Sequence, residues 1–238
     1  MDKPTSKTID LHCHTNITDG RDSPERMARR AVELGIWLGI SDHLDTEMYL
    51  KNDREVAGYY DRIRSLSVYT GIEVSIEPRL HVSTDLLDRF DYTIAALHQV
   101  DGQSLFHPDF VCRNIDTIIG RMIDHVDRFL GLYSFDILAH PTLIPRAWWI
   151  RPETVWSEKR LEQLVDVGIA HGVAFEINAR SMTPLPKFVE IAVSKNARFS
   201  VGSDSHRIQS LGKLSYPHRL IDAYQIPEEW FFFPKSKI

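Results

Sequence analysis

The sequence predicts an α/β protein of parallel strands joined by crossover helices, and three observations carry that prediction. Seven short apolar runs recur along the chain, with helical patterns between them. Nearly every run stays apolar until close to its end, where a histidine, aspartate or glutamate appears. No linker, repeat or low-complexity segment breaks the alternation, so one domain spanning 1–238 is expected.

The first run, "TIDLHCH" (8–14), carries histidines two apart. In a strand, His12 and His14 share one face while Ile9, Leu11 and Cys13 turn to the other. A helix is predicted next: Ser23 as N-cap, Pro24 at the first helical position, Met27, Ala31 and Leu34 as the apolar stripe, and Gly35 at the end. "WLGISDH" (37–43), "YTGIEVS" (69–75) and "YTIAALH" (92–98) follow as strands ending near His43, Glu73 and His98. The clearest helical stripe runs over 115–130, with Ile115, Ile118, Ile119, Met122, Ile123, Val126 and Leu130 at three-and-four spacing. The last strands are "FDILAHP" (135–141), "VAFEINA" (173–179) and "FSVGSDSH" (199–206), which bring His140, Asp204 and His206.

In a parallel barrel or sheet, strand ends lie together at the carboxyl face, where active sites are built. With Asp19 added, nine candidates converge: six histidines and three carboxylates. Zinc usually takes four ligands and other first-row divalent ions rarely more than six, so two or three metal ions are expected. Nitrogen and oxygen donors without thiolate suit zinc, manganese or iron alike. Three carboxylates with one divalent ion leave the site at −1, whereas three divalent ions leave it at +3 and attract phosphate. At an effective dielectric of about 20, a unit-charge contact at roughly 4 Å is worth about 4 kcal/mol, so that sign decides what binds.

Composition narrows the partners. With 28 basic and 33 acidic residues the formal charge is −5, which gives no general attraction for nucleic acid or an anionic membrane surface. No run has the length of a transmembrane helix and "MDKPTSKTID" lacks the apolar core of a signal peptide, so a cytoplasmic protein is expected. Cys13 and Cys112 form no metal-binding spacing, and Cys13 reads as a small buried hydrophobe. Oligomeric state is not encoded in any feature of the sequence.

"DLHCHTNITDG", "GISDH", "GIE", "AALH", "ILAHP" and "GSDSHR", in that order over residues 9–207, resemble the PHP (polymerase and histidinol phosphatase) family of metallophosphoesterases. "DYTIAALHQVDG" and "FDILAHPTLIPR" most resemble its histidinol-phosphatase branch, although after "EIN" this chain has only "ARSMTPLPKF" where that branch carries a longer glycine- and proline-rich segment. The resemblance implies a distorted, TIM-barrel-like (β/α)7 barrel with a trinuclear metal centre. His12, His14, Glu73 and Asp204 would hold one metal. Glu73 would bridge to a second, held by His98 and His140. Asp19, His43 and His206 would hold a third. Arg146 and Arg180 match the family's phosphate-binding arginines, and Arg207 is a further candidate.

The expected reaction is hydrolysis of a small phosphate ester, histidinol phosphate first, with a metal-bridging hydroxide as nucleophile and with charge on the phosphoryl oxygens neutralised by metals and arginine. Asp19 or His206 is the candidate general acid. The alternatives are a phosphodiesterase or exonuclease acting on nucleotides or nucleic-acid ends, which the charge disfavours, and a catalytically inactive metal-stabilised regulatory module, which the filled ligand positions disfavour. A single-zinc amidohydrolase-like enzyme would not need Asp19, His43 and Glu73 together. His81, His107, His125, His171 and His218 read as surface residues, with His81 and His107 near enough in pattern to touch substrate. Asp42 is expected as a cap or an orienting partner, Asn178 as a ligand-orienting or phosphate-contacting group, and Trp148 and Trp149 as pocket wall or core.

Overall fold

Seven parallel strands form the wall of a barrel, which closes where the segment after the first strand bonds to the last. The structure, a computed structural model, describes residues 3–112, 114–148 and 150–235. In chain order the elements are β1 (Ile9–Asp10), α1 (Pro24–Leu34), β2 (Trp37–Ile40), β3 (His43–Leu44), α2 (Asp53–Ile63), β4 (Tyr69–Ser75), α3 (Thr84–Leu87), β5 (Tyr92–Ala96), β6 (Gln99–Val100), β7 (Gln103–Ser104), α4 (Ile115–Leu132), β8 (Ile137–Leu138), α5 (Glu158–Ala170), β9 (Ala174–Asn178), α6 (Pro186–Ser194), β10 (Phe199–Gly202) and α7 (Ser215–Tyr224). The strand order is β1-β2-β4-β5-β8-β9-β10, with every pair parallel and β3 also pairing with β4. Leu11 N donates to Val201 O at 3.0 Å and His14 N to Ser205 O at 2.8 Å, which joins the last strand to the first. The (β/α)7, TIM-barrel-like architecture expected from the sequence is therefore the one observed.

Two apolar layers flank the wall. Inside lie Ile9, Leu11, Tyr69, Tyr92, Ile94, Ala96, Ile137, Ala139, Ala174 and Phe232. The larger layer, between strands and helices, includes Leu38, Ile72, Val74, Phe175, Phe199 and the buried stripe of α4. Alternate residues of β4 separate cleanly: Tyr69, Gly71 and Glu73 face inward, and Ile72 and Val74 face the helices. The interior is filled chiefly by Tyr92, whose hydroxyl donates to Leu11 O at 2.6 Å. A Cβ at Gly39 or Gly71 would overlap its ring, so these two glycines make the space it occupies. Phe231 and Phe232 dock on β10, where Phe232 N donates to Phe199 O at 2.8 Å, and Phe232 packs into the inner layer at the end opposite the strand carboxyl termini.

α1 has the expected boundaries, with Ser23 accepting from Arg26 N and Gly35 in the left-handed region at φ 67°. Leu34, expected in its apolar stripe, is 39% exposed instead. The strand readings were too long. β1 stops at Asp10, β5 at Ala96, β8 at Leu138 and β10 at Gly202, each two or more residues short of the polar residues expected at its end. The alternation also breaks: Ile9 and Leu11 pack inside, whereas Cys13 joins the outer layer with His12 and His14 turned from it to the barrel mouth. His140 and Asp204 have φ of 32° and 52°, a backbone reversal that a ladder cannot carry. An unexpected hairpin, β6–β7, turns at Asp101 and Gly102, both with positive φ.

Gly71→Ala is expected to cost about 1–3 kcal/mol through overpacking against Tyr92. Urea unfolding of Gly71→Ala in a Tyr92→Leu background should show most of that penalty gone, and an undiminished penalty would show that the ring is not its cause.

Candidate metal centre

The nine residues singled out in the sequence form one connected network at the carboxyl mouth, organised on the carboxylate of Glu73. Glu73 projects inward from β4 and is fully buried. Five imidazoles surround it: His43 Nδ1 at 2.6 Å, His12 Nε2 and His140 Nε2 at 3.3 Å, His98 Nε2 at 3.4 Å and His14 Nε2 at 3.7 Å. On the outer side, Asp19 lies 2.8 Å from His206 Nε2 and 3.6 Å from His43 Nε2, and Asp204 lies 3.5 Å from His14 Nε2 and 3.4 Å from His206 Nδ1.

Three overlapping donor groups have ligand atoms within 4.8 Å of one another: His14, Asp19, His43 and His206; His12, His14 and Glu73; and His43, Glu73 and His98. His14 and His43 each stand in two groups, and their rings stack with centroids 4.1 Å apart.

The donor chemistry fits cations. His12 Nδ1 sits 2.7 Å from Glu176 Oε1, and its Nε2 lies only 3.0 Å from His14 Nε2; burial works against charge on His12, but Glu176 and then Glu73 outweigh it and hold the imidazole well above its ordinary value. Two such nitrogens share at most one proton, and a metal ion satisfies both. His14 Nδ1 and Glu73 Oε2 are buried without a hydrogen-bond partner among the described residues, because His43 Nδ1, though close to Oε2, lies off the hydrogen-bond direction. Burial, followed by repulsion from His43, pushes the His14 imidazole down to about 3. Burial works against charge on His43 as well, but the Glu73 carboxylate and then Asp19 outweigh it and hold it at about 10. Glu73 stays ionised well below the usual carboxylate range, because His43 and His12 overcome its burial. Without metal, protons on imidazoles are the cations that neutralise this carboxylate.

Further residues fix these groups, and the most consequential was passed over in the sequence. Glu176, on the inward face of β9, accepts from His140 N at 2.9 Å and Asn178 Nδ2 at 3.0 Å while holding His12. A charged residue inside the apolar run "VAFEIN" was the available signal. A Cβ at Gly202 would meet Glu176 Oε1 and the His12 Cβ, so the glycine of "GSDSH" makes that pair possible. Ser75 Oγ lies 2.8 Å from His98 Nδ1. Asp10 accepts from Ser203 N at 2.8 Å and Gly212 N at 3.0 Å, tying β1 to the segment that carries Asp204 and His206. Asp42 caps the loop before Asp19, accepting from Thr15 N at 2.7 Å and Thr18 Oγ1 at 2.5 Å. Asn178 Nδ2 approaches Asp204 Oδ2 at 3.5 Å.

The arginines divide. Arg180 Nη1 lies 2.8 Å from His206 Nε2 and 3.3 Å from Asp204 Oδ1, and Arg207 lines the same open pocket. Arg146 sits apart from that pocket, exposed on a short 3-10 turn after His140, its backbone N donating to Leu105 O at 2.7 Å. Trp148 packs edge-on against Phe110 in the outer layer, and Trp149 falls outside the described residues. His81, His107, His125, His171 and His218 take no part in the network, and His81 lies 3.3 Å from Glu77. No described helix is long and apolar enough to cross a membrane.

A barrel whose mouth is lined by this donor set defines a protein suited to holding cations at the strand carboxyl ends. The profile of the PHP domain matches residues 10–180, and the chain belongs to that family. A protein of Caldicellulosiruptor bescii named as a probable phosphatase is 23% identical over 236 residues, covering 93% of this chain and 89% of that protein. The DNA polymerase/3′-5′ exonuclease PolX of Bacillus subtilis is 25% identical over 218 residues, covering 85% of this chain but 35% of PolX. Among solved structures, a chain of archaeal ribonuclease P with mature tRNA aligns at TM-score 0.46 and 14% identity, covering 92% of this chain and 89% of that one.

Saturating manganese or zinc at about 100 times its dissociation constant is expected to stabilise the protein by about 2.7 kcal/mol, a rise in Tm of roughly 5–10 °C. Calorimetric titration in two buffers of different ionisation enthalpy should show protons released on binding, and an unmoved Tm without proton release would remove the metal reading. Glu176→Gln, which keeps the shape but removes the carboxylate behind His12, is expected to weaken metal binding about 10–100-fold in competition with a fluorescent chelator. Wild-type affinity in that variant would leave Glu176 with no positioning role.

Proposed function

We propose that this PHP-family chain is a metal-dependent phosphoesterase acting as a phosphomonoesterase on a small soluble phosphate ester, with histidinol phosphate the first candidate. The observation that carries the reading is the convergence of six imidazoles with Glu73, Asp19 and Asp204 at one barrel mouth, beside an open pocket lined by arginine. His12, His14, Asp19, His43, Glu73, His98, His140, Asp204 and His206 would hold two or three divalent ions, zinc, manganese or iron. When bound, such ions supply Lewis-acid charge for the phosphoryl oxygens and a nucleophile at neutral pH. Similarity to the probable phosphatase of C. bescii supports the monoesterase reading.

The chain's own groups supply the rest. Arg180 faces the pocket from beside Asp204 and His206 and would bind phosphoryl oxygens bidentately, with Arg146, on the turn after His140, as the second phosphate-binding arginine. Asp19, held ionised chiefly by His206 and His43 against its partial burial, contacts His206 Nε2 at 2.8 Å. Where the outer cation position, the third, is unfilled, this pair would hold the proton that the leaving alkoxide takes. Burial of Glu73, His12 and His14 keeps water from competing for the donors at the barrel floor.

A second reading, cleavage of nucleotides or nucleic-acid ends, draws on the similarity to PolX. The net charge of −5 weighs against a long polyanion.

His98→Ala and Glu73→Ala are each expected to lower hydrolysis at least about 1,000-fold with the fold intact by circular dichroism, since each removes charge or ligation at the reacting centre. Chelation should abolish wild-type turnover and added manganese or zinc restore it. Full activity in either variant, or turnover indifferent to chelation, would refute the assignment. Turnover of single-stranded oligonucleotides under conditions where histidinol phosphate and sugar phosphates are inert would favour the second reading.

A further inference from the structure

His43 is held at the mouth in a way that His12 and His98 are not. His12 is oriented through Nδ1 by Glu176 at 2.7 Å, and His98 through Nδ1 by Ser75 Oγ at 2.8 Å, each with Nε2 left for the donor network. His43 turns both nitrogens to that network: Nδ1 lies 2.6 Å from Glu73 and Nε2 3.6 Å from Asp19. It accordingly stands in one donor group with His14, Asp19 and His206 and in another with Glu73 and His98. Neither nitrogen is left for an orienting partner outside the network. The Cβ–Cγ torsion of a histidine is soft, so the direction in which this ring presents its nitrogens must come from what packs against it.

Two rings lie nearly parallel to that of His43. His14 stacks at 4.1 Å between centroids with 20° between planes, and Tyr49 at 5.1 Å with 18°. His14 belongs to the network, whereas Tyr49 comes from the loop that follows β3. That loop is a closed bracket. Asp45 Oδ1 accepts from Glu47 N at 2.8 Å and Met48 N at 2.6 Å, an Asx turn. Asp45 N donates to Leu50 O at 3.2 Å and Leu50 N to His43 O at 3.4 Å, so the loop returns to the residue it left. Thr46 N and Oγ1 donate to Glu77 Oε1 at 3.2 and 3.0 Å, and Leu50 is buried in the outer apolar layer. Glu47 and Met48 are exposed, yet Tyr49, next along the same turn, is half-buried against His43. The bracket thus lays the ring on the imidazole before any ion arrives.

We infer that Tyr49 is a positioning residue of the outer cation site: its ring, laid on His43 by the 45–50 loop, sets the plane in which that imidazole joins His14, Asp19 and His206. The inference rests on the metal centre of the proposed phosphoesterase and adds to it a residue that supplies no ligand atom. Its contribution is packing, so phenylalanine should serve in its place and leucine should not.

The test titrates the full, metal-stripped chain with zinc in competition with a fluorescent chelator. Tyr49→Leu, or Tyr49→Met should the leucine variant not fold by circular dichroism, is expected to hold its weakest zinc about three- to tenfold less tightly, with any tighter zinc unchanged. Tyr49→Phe should stay within about twofold of wild type, because the ring is kept. In a His43→Ala background the leucine substitution should add no further loss, since the imidazole it acts through is gone. Phe106→Leu removes the ring 5.7 Å from that of His98, which Ser75 already holds, and should leave zinc affinity within about twofold of wild type. Wild-type affinity in Tyr49→Leu, a loss that phenylalanine does not rescue, a loss that persists without His43, or an equal loss in Phe106→Leu would each overturn the assignment and leave the metal centre standing. Failure of the wild-type chain to take up zinc, manganese or iron would remove the metal centre and this role with it.

Discussion

A buried carboxylate with no arginine or lysine paired to it among the described residues is the constraint on which this mouth is built. Glu73 lies in the middle of a strand buried along its full length, and the positive groups within reach are imidazoles. An isolated ionised carboxylate in such a place costs many kcal/mol. The protein meets that cost by crowding five rings around it. The crowding in turn sets two ring nitrogens 3.0 Å apart at the His12–His14 contact, where they share at most one proton, so the arrangement that relieves the carboxylate leaves the imidazoles short of a cation. Protons relieve part of this, and divalent ions would relieve more, since they suit nitrogen and oxygen donors at once.

That polar layer rests on an apolar one. Tyr92 fills the barrel beneath it, in space made by two glycines, and its hydroxyl ends on the carbonyl of Leu11, one residue before His12. The backbone leading into the first histidine is thus set by packing below it, and its ring by Glu176 beside it. Position and orientation have separate sources. The left-handed φ of His140 has the same logic: it follows a strand whose ladder has ended, and it turns the side chain inward where continued alternation from Leu138 would have turned it away.

The barrel and most of its mouth were legible in the sequence because both depend on short-range patterns. Apolar runs of strand length, helices capped by Ser23 and Gly35, and the stripe of α4 report the wall and its cover, and polar residues at the ends of runs report what the wall carries. Strand ends were less legible, since a ladder stops where its neighbour departs, and that is not local information. His12 and His14 do share a face, but through an irregular backbone rather than through strand alternation. Glu176 was passed over for another reason: it reads as the less exposed polar residue of its strand, and what a buried carboxylate holds there is decided by the distant segments that bring His12 and His140 to it.

The seam between β1 and β10 has a consequence for assembly. Asp10 and Ser203 are 193 positions apart, and their bond, with those of Leu11 to Val201 and His14 to Ser205, forms only when the final strand is laid down. Contacts of such long sequence separation come late and carry the largest loop-closure cost. A growing chain therefore exposes His12, His14, Glu73 and His140 well before Asp204 and His206 exist to complete the cage, and stray ions meet only a partial, unsupported set of ligands during that interval.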